Sequence, residues 1–230
     1  MLTDGARVWR YNSSARMRRV ALVIVVAAVV FRGPAASAQD PPPPLPRVVV
    51  DLQGLVPVFP NDATQLAASR ALTVTELPGA GLGGRAGAHV YFIKYRVITL
   101  GVGGEVVVGK SGSAPVGASS GLVPVDERLI TMASQVSFNF GSGHGWSYLS
   151  GGIGRSRWSL HPSGAADTSA DTESLPTVNY GGGARWFAKS HLAFSFDVRI
   201  YEIQPGTAVG ARPGSPRTRL FTVGAGISLK

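Results

Sequence analysis

The chain contains no cysteine, which excludes disulfide scaffolds, thiolate metal sites and cysteine nucleophiles together. Charge is scarce as well. Asp, Glu, Lys and Arg make up 15% of the 230 residues while 44% are hydrophobic, a balance too apolar for a disordered tail. The longest apolar run, the twelve residues from Val20 to Phe31, falls short of the roughly 20 that a spanning helix needs. Helical periodicity is also missing over any comparable length. What the chain has in quantity is glycine, 30 residues, with 16 prolines. Glycine weakens a helix by roughly 1 kcal/mol relative to alanine, so a helical bundle is disfavoured, and the length suits one β-barrel, one sandwich or two small domains.

The formal net charge of +9 suggests a nucleic-acid partner until its distribution is examined. Residues 1–38 carry Arg7, Arg10, Arg16, Arg18, Arg19 and Arg32 against Asp4. This leaves 16 basic and 12 acidic residues beyond, a net of +4 with no basic run, and no nucleic-acid partner is expected. The N-terminal segment reads Met17-Arg18-Arg19, then the apolar run, then Ala36-Ser37-Ala38 before Gln39, the order of a secretory signal peptide cut after Ala38. Its basic region is long when counted from Met1, which points to translation starting at Met17. Residues 39–46 form a proline-rich lead that cannot join a sheet ladder. Residues 47–230 then make one domain.

In that domain apolar residues alternate with small or polar ones in eight blocks, approximately Pro46 to Val58, Gly81 to Ile93, Val97 to Gly109, Leu129 to Phe140, Trp146 to Ser159, Leu175 to Phe187, His191 to Gln204 and Thr218 to Leu229. These predict eight strands. Long and short connectors alternate without exception, from Phe59 to Ala80 and Lys94 to Arg96 through to Ala188 to Ser190 and Pro205 to Arg217. A soluble sandwich has no reason to gather its long loops at one end. A barrel threaded through an outer membrane does, with short periplasmic turns and long external loops.

The faces sharpen this. Leu100 and Val102 in the third block, Phe194 and Phe196 in the seventh and Val223 in the eighth lie on uncharged apolar faces, which predicts that they meet lipid. The opposite faces are Gly, Ser, Thr and Asn with a few charges: Asp51, Glu105 and Asp197 against Arg85, Arg185 and Arg199. Three of each sign can neutralise one another in a lumen, where an unpaired charge costs several kcal/mol. Glycines at two-residue spacing, among them Gly101, Gly103, Gly181 and Gly183, fall on the same face. The expected fold is therefore all-β, an eight-stranded antiparallel up-and-down transmembrane β-barrel. Twelve residues at about 3.3 Å each, tilted near 45°, span close to a ~25 Å apolar band.

The segments Trp146 to Gly154, Val178 to Trp186 and Leu220 to Lys230, with the eight strands and the connector order, resemble those of the small eight-stranded outer-membrane β-barrel family, the OmpA/OmpX-like group. The resemblance covers the whole mature chain. It implies residence in the outer membrane, contact with outer-membrane lipid and handling by the barrel assembly machinery. The family usually ends on an aromatic residue that docks to that machinery, and this chain ends Leu229-Lys230. Tyr91, Phe92, Tyr95, Phe138, Phe140, Trp146, Tyr148, Trp186 and Phe187 flank the short connectors and are expected to form an aromatic belt at headgroup level.

Motifs of chemistry are weak. Gly79 to Gly84 matches a dinucleotide fingerprint, with Glu105 near the ribose-binding offset, but a strand pattern follows where a helix is needed. Gly117 to Gly121 matches a nucleophile elbow but lies within a loop. His89, His144, His161 and His191 show no metal-ligand spacing, and His89 is expected inside the barrel as a hydrogen-bonded neutral imidazole. Ser190 and His191 sit at the periplasmic rim, far from an outer-leaflet substrate. Asp167, Asp171 and Glu173 make one external loop acidic, while Arg212, Arg217 and Arg219 make the next basic. No cofactor, metal or catalytic residue is expected. The leading expectation is an integral outer-membrane barrel with a structural or surface-interaction role and a lumen filled by side chains. The alternatives are a secreted or periplasmic soluble barrel for a small apolar ligand, or an outer-membrane lipid-modifying enzyme.

Overall fold

A computed structural model describes residues 47–60, 64–113, 123–141, 145–211 and 213–230. The signal segment 1–38, the proline-rich lead 39–46, the Gly117 to Gly121 motif, His144 and Arg212 lie outside the described residues. Eight antiparallel strands close on themselves in sequence order: β1 (Val48–Val58), β2 (Leu82–Tyr95), β3 (Ile98–Ser113), β4 (Val125–Phe140), β5 (Gly145–Pro162), β6 (Ser174–Phe187), β7 (Leu192–Ile203) and β8 (Thr218–Leu229). Closure runs through β1 and β8, with Val50 opposite Leu229 and Val58 opposite Phe221, so no sheet edge is left unpaired. Two short helices, α1 (Thr64–Ser69) and α2 (Ser169–Thr172), and a 3-10 turn (Val74–Glu76) lie in the long connectors.

Burial follows the two-residue pleat. Residues Val49 to Pro57 of β1 alternate inward and outward without a break, and β4 alternates from end to end. One irregularity marks the short-turn end. The β2 and β3 register shifts between Tyr91 and Ile93, a bulge that turns both Phe92 and Ile93 outward.

The third to fifth strands run further than the alternation predicts, because Lys110 to Ser113, Val125 to Arg128 and Leu160 to Pro162 continue the ladder instead of forming loop. The physical reason is that their outward faces are polar, Lys110, Asp126 and Arg128, which hides the strand pattern. Their inward residues Val125, Glu127 and Leu160 stay buried.

Glycine is structural here. A Cβ on Gly183 would overlap the Phe196 carbonyl oxygen of the adjacent strand and crowd the Tyr148 hydroxyl, so a side chain at this position would push β6 away from β7. Gly103 stands likewise against the Ala88 carbonyl and the His89 ring.

Candidate functional site

The interior divides into three levels between the short-turn end and the long-loop end. At the short-turn end Val49, Tyr91, Trp146, Phe187 and Ala193 form a buried apolar cluster, with Trp146 edge-on to Tyr91 and 5.0 Å from the Phe187 ring. The aromatic belt is therefore corrected. Tyr91, Trp146, Tyr148 and Phe187 point into the barrel and are buried, while Phe92, Tyr95 and Phe138 are exposed outside. Pleat parity decides this: aromatic rings one residue apart in a strand face opposite ways.

The middle level is polar. Arg185 grips Asp51 with both arms, Nε to Oδ1 at 2.9 Å and Nη2 to Oδ2 at 2.6 Å, and the Ser228 hydroxyl also donates to Asp51. The Arg185 guanidinium lies 4.0 Å over the Tyr148 ring. Arg85 donates to Asp197 at 2.6 Å, and Tyr148 donates to the other oxygen of Asp197 at 2.7 Å. Arg199 bridges Asp197 at 3.3 Å and Asn179 at 2.8 Å. Glu105 lies 3.7 Å from both Arg85 and Arg199 and accepts from Tyr201 at 3.0 Å. Asp51, Arg85, Glu105, Arg185, Asp197 and Arg199 are each 5% exposed or less, drawn together from β1, β2, β3, β6 and β7. Their formal charges sum to zero. Charge-assisted, bidentate contacts of this kind are the strong ones.

His89 is inside as well, stacked at 6.1 Å on Tyr91. Its Nδ1 stands 3.8 Å from Asp51, beyond hydrogen-bonding distance, and neither ring nitrogen has a hydrogen-bond partner among the described residues. The expected hydrogen-bonded histidine is thus corrected: Arg185 and Ser228 already occupy the Asp51 oxygens.

Above this lies a row of hydroxyls on three neighbouring strands, Thr131, Ser156 and Thr177, linked at 2.7 and 2.8 Å, and then an apolar level. Leu55, Val107, Leu129, Trp158, Leu160, Leu175, Tyr201, Ile203 and Leu220 project from the strands, and Phe59, Leu66, Ala67 and Leu77 fold in from the first long connector. Within it Glu127, 1% exposed, accepts from Trp158 Nε1 at 2.8 Å. The alternation in the fourth block starts at Leu129, two residues after Glu127, so the sequence pattern leaves Glu127 outside the strands, and Leu66 and Leu77 lie in a connector with no period to show which way they face.

The long connectors are tied down by side chains. Asp171 accepts from the Leu160 and Thr168 backbone N–H groups at 3.0 and 2.9 Å and from the Thr168 hydroxyl at 2.6 Å. Burial works against its charge, but these hydrogen bonds outweigh it and hold the carboxyl below its ordinary range. Glu173 accepts from Thr207 through both backbone and hydroxyl, which joins the third and fourth long connectors. Among the described residues the acidic and basic connectors do not pair charge for charge. Asp171 meets Arg70 at 3.8 Å, Asp167 meets His161 at 3.1 Å, Arg217 donates to Gln204 and Arg219 meets Glu202 at 3.0 Å.

The nucleotide fingerprint dissolves, since Leu82 opens β2 directly after Gly79 to Gly81 and no helix follows. Ser190 and His191 lie in the short turn before β7, where His191 meets the Lys230 carbonyl. Among the described residues no group of three or more His, Asp or Glu is arranged to hold a metal.

On the outside, Val102 and Phe194 are exposed at 46% and 61%, and Leu100, Phe196 and Val223 point outward, half-buried by neighbours. The fold and its interior define a class: a closed eight-stranded barrel with inverted faces, polar and small within, apolar without. It is the fold of the small outer-membrane barrels that the strand segments resemble. Neisserial surface protein A (NspA) matches it with a TM-score of 0.53 at 15% identity, over 80% of this chain and 97% of that one. The N-terminal β-barrel domain of Pseudomonas aeruginosa OprF aligns over 80% of this chain and 96% of that one at 12% identity, with a TM-score of 0.39. No protein-family model and no curated protein sequence matches the chain.

Proposed function

We propose that the chain is an integral outer-membrane β-barrel protein with a structural or surface-interaction role, exported by its signal peptide, with a lumen packed by side chains that conducts no solute. The observation that carries this is the inversion of faces: buried Arg, Asp and Glu inside, with Val102, Val106, Ile130, Val136 and Ile153 exposed around the outer wall. Exposed apolar surface on this scale needs lipid to cover it. The fold shared with a neisserial surface protein supports the location. The neutral Arg and carboxylate level between two apolar levels supports the closed lumen, as does the narrow interior of eight strands.

Fractionation tests the reading. The protein is expected in the outer-membrane pellet, released by detergent and not by carbonate or high salt, with heat-modifiable migration in detergent gels and no steady conductance in a planar bilayer. Recovery in the soluble periplasm without detergent would sink it and favour the soluble ligand-binding barrel.

A further inference from the structure

The outer wall is not uniformly apolar. Arg155 and Arg157 on β5, Arg128 on β4 and Lys110 on β3 all point outward and are exposed. The registers set them side by side: Lys110 is opposite Arg128, while Arg157 is opposite Ile130 and Arg155 opposite Met132, the next outward positions along β4. Taking about 3.3 Å per residue at a tilt near 45°, Arg155 stands about 23 Å above the start of β5, and Arg157, Arg128 and Lys110 stand about 28 Å above the short-turn ends of their strands. The apolar band is about 25 Å tall. All four cations therefore stand at its outer boundary, on the side of the long connectors.

Among the described residues only Lys110 of the four has an acidic partner, so the cluster keeps a net positive charge. Asp126 stands 3.6 Å from Lys110, and Arg155 Nε reaches the neutral Ser174 hydroxyl at 3.4 Å. The opposite wall differs, since outward Arg219 is matched by Glu202 at 3.0 Å. Directly below Arg155 and Arg157 the wall is concave. An open groove of about 1050 Å³ is lined by both arginines together with Met132, Ile153 and the small residues Ala88 and Gly104. An apolar trough that ends in a cluster of cations complements a molecule with hydrocarbon chains and a phosphorylated head. An outward Arg is costly toward the bilayer midplane and nearly neutral at the interface, and phosphate, like carboxylate, is an anion that guanidinium groups bind in bidentate fashion.

We propose that this wall is a binding site for a phosphate-bearing lipid of the outer leaflet, with phosphate held by Arg155, Arg157, Arg128 and Lys110 and an acyl chain lying in the groove over Ala88 and Gly104. The inference rests on the membrane reading above.

The test uses the full-length protein reconstituted in phosphatidylcholine nanodiscs, titrated with bis-phosphorylated lipid A and, separately, with its fully dephosphorylated form, with retained lipid counted by native mass spectrometry. Preferential retention of the phosphorylated lipid is expected, at least tenfold weaker in the triple variant R128Q/R155Q/R157Q. Ala88→Trp, which fills the groove and leaves the cations in place, is expected to weaken retention several-fold. Heat-modifiable migration confirms that each variant is folded. Equal retention of the two lipids, or retention unchanged in the triple variant, would overturn the site. Failure of the wild-type protein to enter nanodiscs would instead overturn the membrane reading on which it rests.

Discussion

At the scale of single residues, the most consequential feature is the Asp51 and Arg185 pair, both 0% exposed and joined by two hydrogen bonds. Burial of such a pair does not by itself guarantee net stability, but removing one partner leaves the other as an uncompensated charge. That typically costs about 3–5 kcal/mol. Asp51→Ala is therefore expected to lower unfolding stability by about that much, with Asp51→Asn intermediate because it keeps hydrogen-bonding capacity while losing charge. Urea unfolding in detergent, followed by tryptophan fluorescence or gel shift, reads the difference directly. The six charged lumen positions were visible in the sequence as isolated charges on a face of small residues. Their pairing was not: Asp51 and Arg185 are 134 residues apart, and only closure of the barrel decides which carboxylate meets which guanidinium.

At the scale of elements, the first long connector is a lid whose apolar residues pack into the mouth at the long-loop end. Phe59, Leu66 and Leu77 are buried there, and backbone bonds from Phe59 to Gly79 and from Gly81 to Pro57 close its base. Phe59→Ala is expected to cost about 3–5 kcal/mol of local packing. The expected readout is faster protease cleavage within residues 59–80 while the strands remain folded and heat-modifiable. The anchor of the third long connector depends on pH. Because the folded-state pKa of Asp171 is lowered, the stability it contributes is present above the ordinary carboxylate value near 4 and is lost as pH falls through the lower folded value. Hydrogen exchange of residues 168–172 should be unchanged between pH 7 and 5 and should accelerate, relative to the intrinsic rate, below about pH 4. Asp171→Asn should show the accelerated exchange already at neutral pH. Neither connector was legible in advance, because a few apolar residues among turn formers carry no period and only the barrel mouth gives them a partner.

At the scale of the whole molecule, the apolar outer wall and the polar lumen set opposite tolerances. Val102 and Phe196 each lie four residues from the short-turn end of their strands, close to the expected midplane, and Arg at either position should cost about 2–4 kcal/mol. Thr99→Ser, which keeps an inward hydroxyl, should be nearly silent. Refolding yield and urea midpoint in lipid vesicles check both, and equal effects would contradict the inside and outside assignment.

Strand number, strand order and the choice of face were determined by the sequence alone. A two-residue period is local, and a one-residue slip would turn every side chain of a strand to the wrong face. The tertiary structure decided what lies between those faces: the ion-pair partners, the lid over the mouth, and the meeting of Lys110, Arg128, Arg155 and Arg157 on one wall. Those contacts depend on register and on the curvature of a closed sheet, which are properties of eight strands together and are carried by no single strand.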